Sequence, residues 1–285
     1  MVPPACSFLR PKKKKSIHQT YMAVRVIGSS ILPFSIDPQY GGLYFLLGKE
    51  KKTFRYHDSE RWSDFGGSSP SSESAPMTAS REFHEETAAV VPFFKDEPLP
   101  RQNYQLIRRA LEDQEYYMLV EFEHDNHTKY CTYLKQIPWT PMYPMHFAQQ
   151  INKLIQYTKG KVPPETEIHP AVTNIGKKVH ISRDFMEKQS LQYWSIPQLK
   201  SAITASRHVL GMRSNQPEML RDSFVSRLAT ILEQFPPDNG TEHYLCGQFP
   251  NYILHTPLQR NATVILRRDS EEKRKKHQPA GNSRA

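Results

Sequence analysis

Residues 67–88 read GSSPSSESAPMTASREFHEETA. Gly67 stands six residues ahead of Glu73, and Arg81-Glu82, Phe83 and Glu85-Glu86 follow, so that three glutamates fall within five residues. On an α-helix Glu82 and Glu86 share one face a turn apart, with Glu85 beside them. Like charges at that spacing repel by about 0.2–0.5 kcal/mol per pair. Their clustering therefore points to a cation held there. Hard carboxylate oxygens suit Mg²⁺ or Mn²⁺ and suit zinc less well.

The same stretch predicts a helix over Ser74–Thr87. Ser74 stands at the N-cap and Pro76 falls in the first turn, where its missing N–H costs nothing. Ala79, Phe83 and Thr87 recur at i+4 and face the core, which leaves Glu82, Glu85 and Glu86 facing outward.

The spacing resembles the box of the Nudix hydrolases, G-x5-E-x7-R-E-U-x-E-E-x-G-U with U a bulky apolar residue. Gly67, Glu73, Arg81, Glu82, Phe83, Glu85 and Glu86 fall in register, whereas Ala88 replaces the last glycine and Ala89 the last U. At roughly 5–7% per residue type, six such fixed positions line up by chance somewhere in a chain of this length on the order of one time in 10⁵. Glycine is expected after this helix because the chain reverses there in a left-handed conformation, which would cost Ala88 about 1 kcal/mol; another loop path is the alternative.

The resemblance implies an α/β/α sandwich with a mixed sheet and hydrolysis of a nucleoside diphosphate linked to another group. It implies Glu85 and Glu86 as metal ligands, and Glu82 as a further ligand or the group that orients water. The carbonyl of Gly66 is implied as a backbone ligand, and Gly67, Glu73 and Arg81 as the brace of the box. A further carboxylate from outside the box is also implied. Glu187 is the first candidate, followed by Glu165, Glu167 and Glu121. Mg²⁺ is the expected cofactor, with Mn²⁺ as the alternative.

The chain of 285 residues is 38% hydrophobic and carries a formal net charge of +9. That is enough for one large domain with appendages. No apolar run approaches the ~20 residues of a membrane span, so no membrane partner is expected. The N-terminus MVPPACSFLRPKKKKS has no apolar segment before its charges and does not read as a secretory signal. Cys6, Cys131 and Cys246 form no metal or redox pattern, which suits a reducing compartment. An intracellular location, cytoplasmic rather than nuclear, is expected. Lys12–Lys15 and the basic run from Arg267 to Lys276 read as solvated tails, or as phosphate-binding segments.

Four segments are expected: a disordered basic stretch at 1–18; a hydrolase domain at 19–205 with an insertion at about 137–165; a helical C-terminal extension at 206–266; and a disordered basic tail at 267–285. Tyr21–Phe34 reads as a strand, with Gly28-Ser29-Ser30 as an alternative break, and Leu43–Leu47 as a second. Gln102–Ala110, Tyr116–Glu123 and Lys129–Gln136 read as three more, the last two joined by a turn. Ile137–Met145 reads as irregular and Phe147–Tyr157 as a helix. Leu191–Ile196 reads as a late strand leading into a helix at Pro197, Glu218–Phe235 as an amphipathic helix, and Thr241–Leu266 as a final strand or docking segment.

Trp62, Trp139 and Trp194 are residue types that stack bases, although core packing explains them as well. His84 reads as a surface residue, and Lys177, Lys178 and Arg183 as phosphate contacts or solvated charges. The leading expectation is a Mg²⁺-dependent pyrophosphohydrolase acting on a nucleotide derivative. Removal of an RNA cap, with RNA held by the basic surface, is the named alternative, and a non-enzymatic nucleotide- or RNA-binding module of the same fold is the third. The residues that bind substrate are not legible.

Overall fold

The computed structural model describes residues 24–52, 59–94, 104–125, 127–160, 169–175, 178–208, 219–233 and 263–266. The expected disordered segments, Glu165, Glu167 and Lys177 lie outside these residues.

Strand β1 (Arg25–Ile36) is continuous through Gly28-Ser29-Ser30, with only a register irregularity near Val26. One edge of β1 pairs in parallel with β6 (Thr128–Gln136) along most of its length. Its other edge is shared. Phe34–Ile36 pair with β2 (Leu43–Glu50), while Gly28–Ile31 pair with β4 (Phe65–Ser68). Two-residue β3 (Trp62–Ser63) pairs with Gly48 and Lys49 of β2. The segment Trp62–Ser68 is thus a wedge driven between β1 and β2 where they splay, and it carries Gly66-Gly67 into the middle of the sheet. Strand β5 (Met118–Asp125) pairs with β6, β10 (Thr263–Leu266) with β5, and β9 (Lys188–Ser195) with the far edge of β2. The sheet mixes parallel and antiparallel pairs. Strands β7 (Val172–Ile175) and β8 (Lys178–Ile181) form a separate small hairpin.

Both faces of the sheet are covered, so its central strands alternate between two cores rather than between core and water. Leu32, Phe34, Phe45, Leu47 and Trp194 face α4 (Ile196–His208) and α5 (Asp222–Glu233). Ile31, Leu46, Phe65 and Leu191 face α1 (Ala75–Glu86), α2 (Tyr104–Glu112) and α3 (Tyr143–Thr158). The architecture is the expected α/β/α sandwich with a mixed sheet.

Three sequence expectations change. The described part of the expected strand Gln102–Ala110 is helical, because α2 occupies Tyr104–Glu112. Ile107, Ala110 and Leu111 are buried at helical spacing, and Arg108 pairs with Glu112 at i+4. Irregular structure ends at Met142, since Tyr143 and Pro144 already open α3. The amphipathic helix starts at Asp222 rather than Glu218, and Leu220 instead bridges to Trp62. Phe224, Val225, Leu228 and Ile231 of α5 are buried in the same cluster as Phe34 and Trp194. Likewise Tyr143 and Phe147 of α3 share a cluster with Phe65 and Phe83.

Candidate functional site

Helix α1 begins as its sequence dictates. The Ser74 hydroxyl accepts from the Met77 N–H at 3.4 Å, and proline lies in the first turn. The helix ends at Thr87, whose hydroxyl donates to the Phe83 carbonyl at 2.6 Å. Ala88 and Ala89 then both take left-handed backbone, φ 49° and 54°, so the chain reverses as a glycine would allow, but without one. His169 steadies the reversal: its Nδ1 accepts from the Ala171 N–H at 3.1 Å, leaving Nε2 to donate to the Ala88 carbonyl at 2.9 Å. His84, expected at the surface, is buried against the Phe185 and Tyr104 rings. Burial and the neighbouring His169 pull its pKa down to about 4.

The glutamates do not face bulk water. The side chains of Glu82, Glu85 and Glu86 are 13%, 16% and 4% exposed, because the wedge strand and the turn Asp184–Met186 wall in that face of the helix. They border a groove of about 700 Å³ together with Gly66, Gly67, Glu50 and Glu187. Glu187 is therefore brought to the site. Glu121 is not among the lining residues and is ion-paired with Lys129 on the β5–β6 pair. Lys51, Lys52, Arg183 and Arg221 also line the groove, which mixes its acids with cations.

Arg81 is the hub of the acidic side. Its Nε and Nη2 donate to the two oxygens of Glu73 at 3.2 and 3.3 Å, a fork on a carboxylate. The same guanidinium meets Glu82 and Glu85 at 2.9 Å each, and Thr78 donates to Glu73 at 2.8 Å. Glu73 and Arg81 thus join the loop to the helix. Burial raises the carboxyl pKa of Glu73, but the hydrogen bonds from Arg81 and Thr78 outweigh it and leave the pKa lowered. For Glu85, burial, with help from Glu82 and Asp184, wins over Arg81 and raises the carboxyl to about 7. Glu82 and Glu187 are likewise raised, chiefly by burial and then by neighbouring carboxylates against the pull of Arg81 or Lys188.

Glu86 is held differently. Its Oε2 accepts from the Gly66 N–H at 2.8 Å, and its Oε1 meets Lys188 at 3.0 Å. In this arrangement the box carboxylates are turned to protein cations. Among the described residues no three acidic, histidine or cysteine side chains are grouped to hold one ion. The physical reason is that Arg81 draws Glu82 and Glu85 one way while Lys188 draws Glu86 another.

The glycines fit this site sterically. A Cβ at residue 67 would lie 2.4 Å from Glu82 Oε1, and one at residue 66 would lie 2.2 Å from Ser30 Cβ. Gly66 lets the wedge lie against β1, whereas Gly67 leaves room for the Glu82 carboxylate.

A second cavity of about 720 Å³ shares Gly66, Gly67, Ser68 and Arg221 with the groove and reaches Tyr130, Phe122 and α5. At its wall Arg227 grips Asp64 with both arms, at 2.8 and 3.1 Å. The same guanidinium donates to the Thr132 hydroxyl at 3.0 Å and lies over the Tyr130 ring at 4.1 Å. Asp64 also accepts from Ser30 at 2.6 Å.

Sequence reading missed Glu50, Asp64, Lys188 and Arg227. None belongs to the box, and each is an ordinary charged residue until the fold buries it. Trp62 and Trp194 pack edge to face in the core at 5.5 Å, while half-buried Trp139 packs on Tyr44 and Tyr193.

No family model and no curated protein matches the chain. Solved structures with some similarity include a Nudix hydrolase from Nitrosomonas europaea, at 10% identity over 75% of this chain and 73% of that one, with a TM-score of 0.33. Another is a bifunctional NMN adenylyltransferase/ADP-ribose pyrophosphatase from Francisella tularensis, complexed with AMP and a manganese ion, at 12% identity over 75% of this chain and 43% of that one, with a TM-score of 0.35. A third is the Nudix domain of Shewanella oneidensis NrtR complexed with ADP-ribose, at 12% identity over 77% and 94%, with a TM-score of 0.32. At these values the functional reading rests on the site's own residues.

Proposed function

We propose that the protein is a hydrolase of phosphoanhydride bonds that cuts a pyrophosphate linkage in a nucleoside diphosphate derivative with the help of a divalent cation. The observation that carries this reading is the gathering of Glu82, Glu85, Glu86 and Glu187 on one groove beside Gly66-Gly67, within reach of Lys51, Lys52, Arg183 and Arg221.

The donor set is all oxygen and fits Mg²⁺, or Mn²⁺, better than a softer metal. Glu82, Glu85 and Glu86 would hold such an ion, with the Gly66 carbonyl and Glu187 as further donors, once Glu82 and Glu85 turn from Arg81 and Glu86 presents Oε2, the oxygen that Lys188 does not hold. A bound divalent ion neutralises pyrophosphate charge and lowers the pKa of coordinated water. The chain's own residues do the rest. Arg81 and Glu73 fix the loop on the helix, so the carboxylates start from a defined geometry. Gly67 keeps Glu82 close to the wedge strand, where Glu82 can orient water. Lys51, Lys52, Arg183 and Arg221 attract the phosphates to the groove. The adjoining cavity across Gly66–Ser68 takes the nucleoside part of the substrate.

A second reading, removal of an RNA cap, is favoured by the net charge of +9 and by those same cations, since a capped RNA presents many phosphates to a basic surface. The test is turnover of a panel of nucleotides and capped RNA with Mg²⁺, run beside Glu86→Gln. The variant is expected to lose at least about 100-fold in turnover, about 2.7 kcal/mol of barrier. Equal turnover overturns the site. Binding of a nucleotide or RNA with no turnover of any panel member favours the non-enzymatic module.

A further inference from the structure

Lys188 opens β9 immediately after Glu187, yet its side chain is 0% exposed. Lysine almost never lies fully buried without partners. Its ammonium meets Glu50 at 2.5 Å, Glu86 at 3.0 Å, the Ser63 hydroxyl at 2.8 Å and the Asp64 carbonyl at 3.4 Å. All four are oxygens, two of them carboxylate, which is the donor kind a hard cation takes. The fold also makes room for the stem. A Cβ at Gly48 would lie 3.0 Å from the Lys188 Cγ and Cδ and 3.0 Å from the Phe65 ring. Glycine in a strand interior costs stability, and here it opens the passage that the lysine fills.

We propose that Lys188 is a built-in monovalent counter-ion that fills the inner end of the carboxylate groove. It withholds Glu50 and one oxygen of Glu86 from divalent ions, and so confines ion binding to the outer end at Glu82, Glu85, Glu187 and the remaining oxygen of Glu86. This rests on the reading of the groove as a divalent-ion site. Lys188 is then a positioning residue: it fixes how many ions the groove accepts, and it orients Glu86 from behind.

The test counts Mn²⁺ ions bound to the full chain, by magnetic resonance of free Mn²⁺ during titration. Lys188→Met removes the charge and keeps much of the stem. The expected result is one more bound Mn²⁺ than in the wild type, lost again in the double variant Lys188→Met/Glu50→Gln. An unchanged or smaller count in folded Lys188→Met overturns the proposal. Should that variant fail to fold, Glu50→Gln with Lys188 intact decides. The Mn²⁺ count and affinity stay within about twofold of wild type if Lys188 keeps Glu50 from ions, and a lost ion or a tenfold weaker one shows Glu50 to be a ligand itself. Wild-type protein that binds no Mn²⁺ sinks the functional reading; wild-type protein that binds Mn²⁺ alongside an unchanged Lys188→Met count sinks this inference alone.

Discussion

A methyl group added at Gly67 would sit 2.4 Å from Glu82 Oε1, the far end of a side chain that springs from the opposite wall of the groove. The clash falls on a carboxylate and not on backbone, so the fold can absorb it by turning Glu82 aside. Gly67→Ala is therefore expected to fold with a melting temperature within about 4 °C of wild type and to lose on the order of tenfold in turnover, about 1.4 kcal/mol. Gly66→Ala meets Ser30 Cβ at 2.2 Å and backbone at 2.6 Å, and is expected to be destabilised outright. Thermal melts beside turnover distinguish the two. A Gly67→Ala protein as unstable as Gly66→Ala would contradict the account.

The crowded carboxyls predict how stability depends on pH without divalent ions. Glu85 has a folded pKa of about 7 against 4.5 for the free group, and Glu82 and Glu187 shift in the same direction. A carboxyl raised on folding binds its proton more tightly in the native state. Its stabilisation is present below the unfolded value and is lost as pH rises to the folded one. In chelator the melting temperature is expected to fall between about pH 4.5 and pH 7. Glu73, shifted the other way, acts only below that window. Added Mn²⁺ should restore stability most at the upper end, where the carboxylates are ionised. Melts of wild type and Glu85→Gln at several pH values check this, the variant giving the flatter profile.

Ala79 and Ala88 are both fully buried, but they answer glycine differently. Ala79 lies inside α1, and Ala79→Gly should cost about 1 kcal/mol in helix propensity plus about 0.8 kcal/mol for the lost methyl. Ala88 holds φ 49°, a conformation that costs a side chain about 1–2 kcal/mol. Relief of that strain offsets the missing methyl, so Ala88→Gly is expected to be neutral or stabilising by up to about 1 kcal/mol. Denaturant unfolding of the two variants measures the gap, and equal losses would remove the claim of strain.

Arg227 on α5 is the main partner of Asp64, a carboxylate only 3% exposed within the wedge segment. Arg227→Met leaves that charge buried without its partner, a loss of about 3–5 kcal/mol. The double change Asp64→Asn/Arg227→Met removes both charges and should recover part of it. The same dependence means that a chain cut before residue 219 uncovers Phe34, Phe45 and Trp194 and should not fold stably. A two-state unfolding series over the cycle reads the coupling.

The box was legible because a helix converts sequence spacing directly into geometry. Ser74 as cap, Phe83 facing in, and Arg81 between Glu73 and Glu85 follow from positions three, four and eight residues apart. The strands β1, β2, β6 and β9 were legible because each gathers aliphatic or aromatic residues over a short stretch. Helix α2 was misread because YQLIRRAL carries apolar residues at spacings that suit either element, and only burial of Ile107, Ala110 and Leu111 on one side decides between them.

What the sequence alone determined is local: several strands, the box helix with its cap and its acidic face, and the residue types ready for a hard cation. Tertiary structure decided what those carboxylates actually face. The splay of β1 from β2 admits the strand bearing Gly66, and β9 lies along β2 so that Lys188 pairs with Glu50 from 138 residues further on, and the two arrive behind Glu86 with no trace in any short motif. Charge is a property of each residue, but burial and pairing belong to the fold. The physical reason is that a lysine and a glutamate in water are two ordinary ions, and only exclusion of water makes one the counterpart of the other.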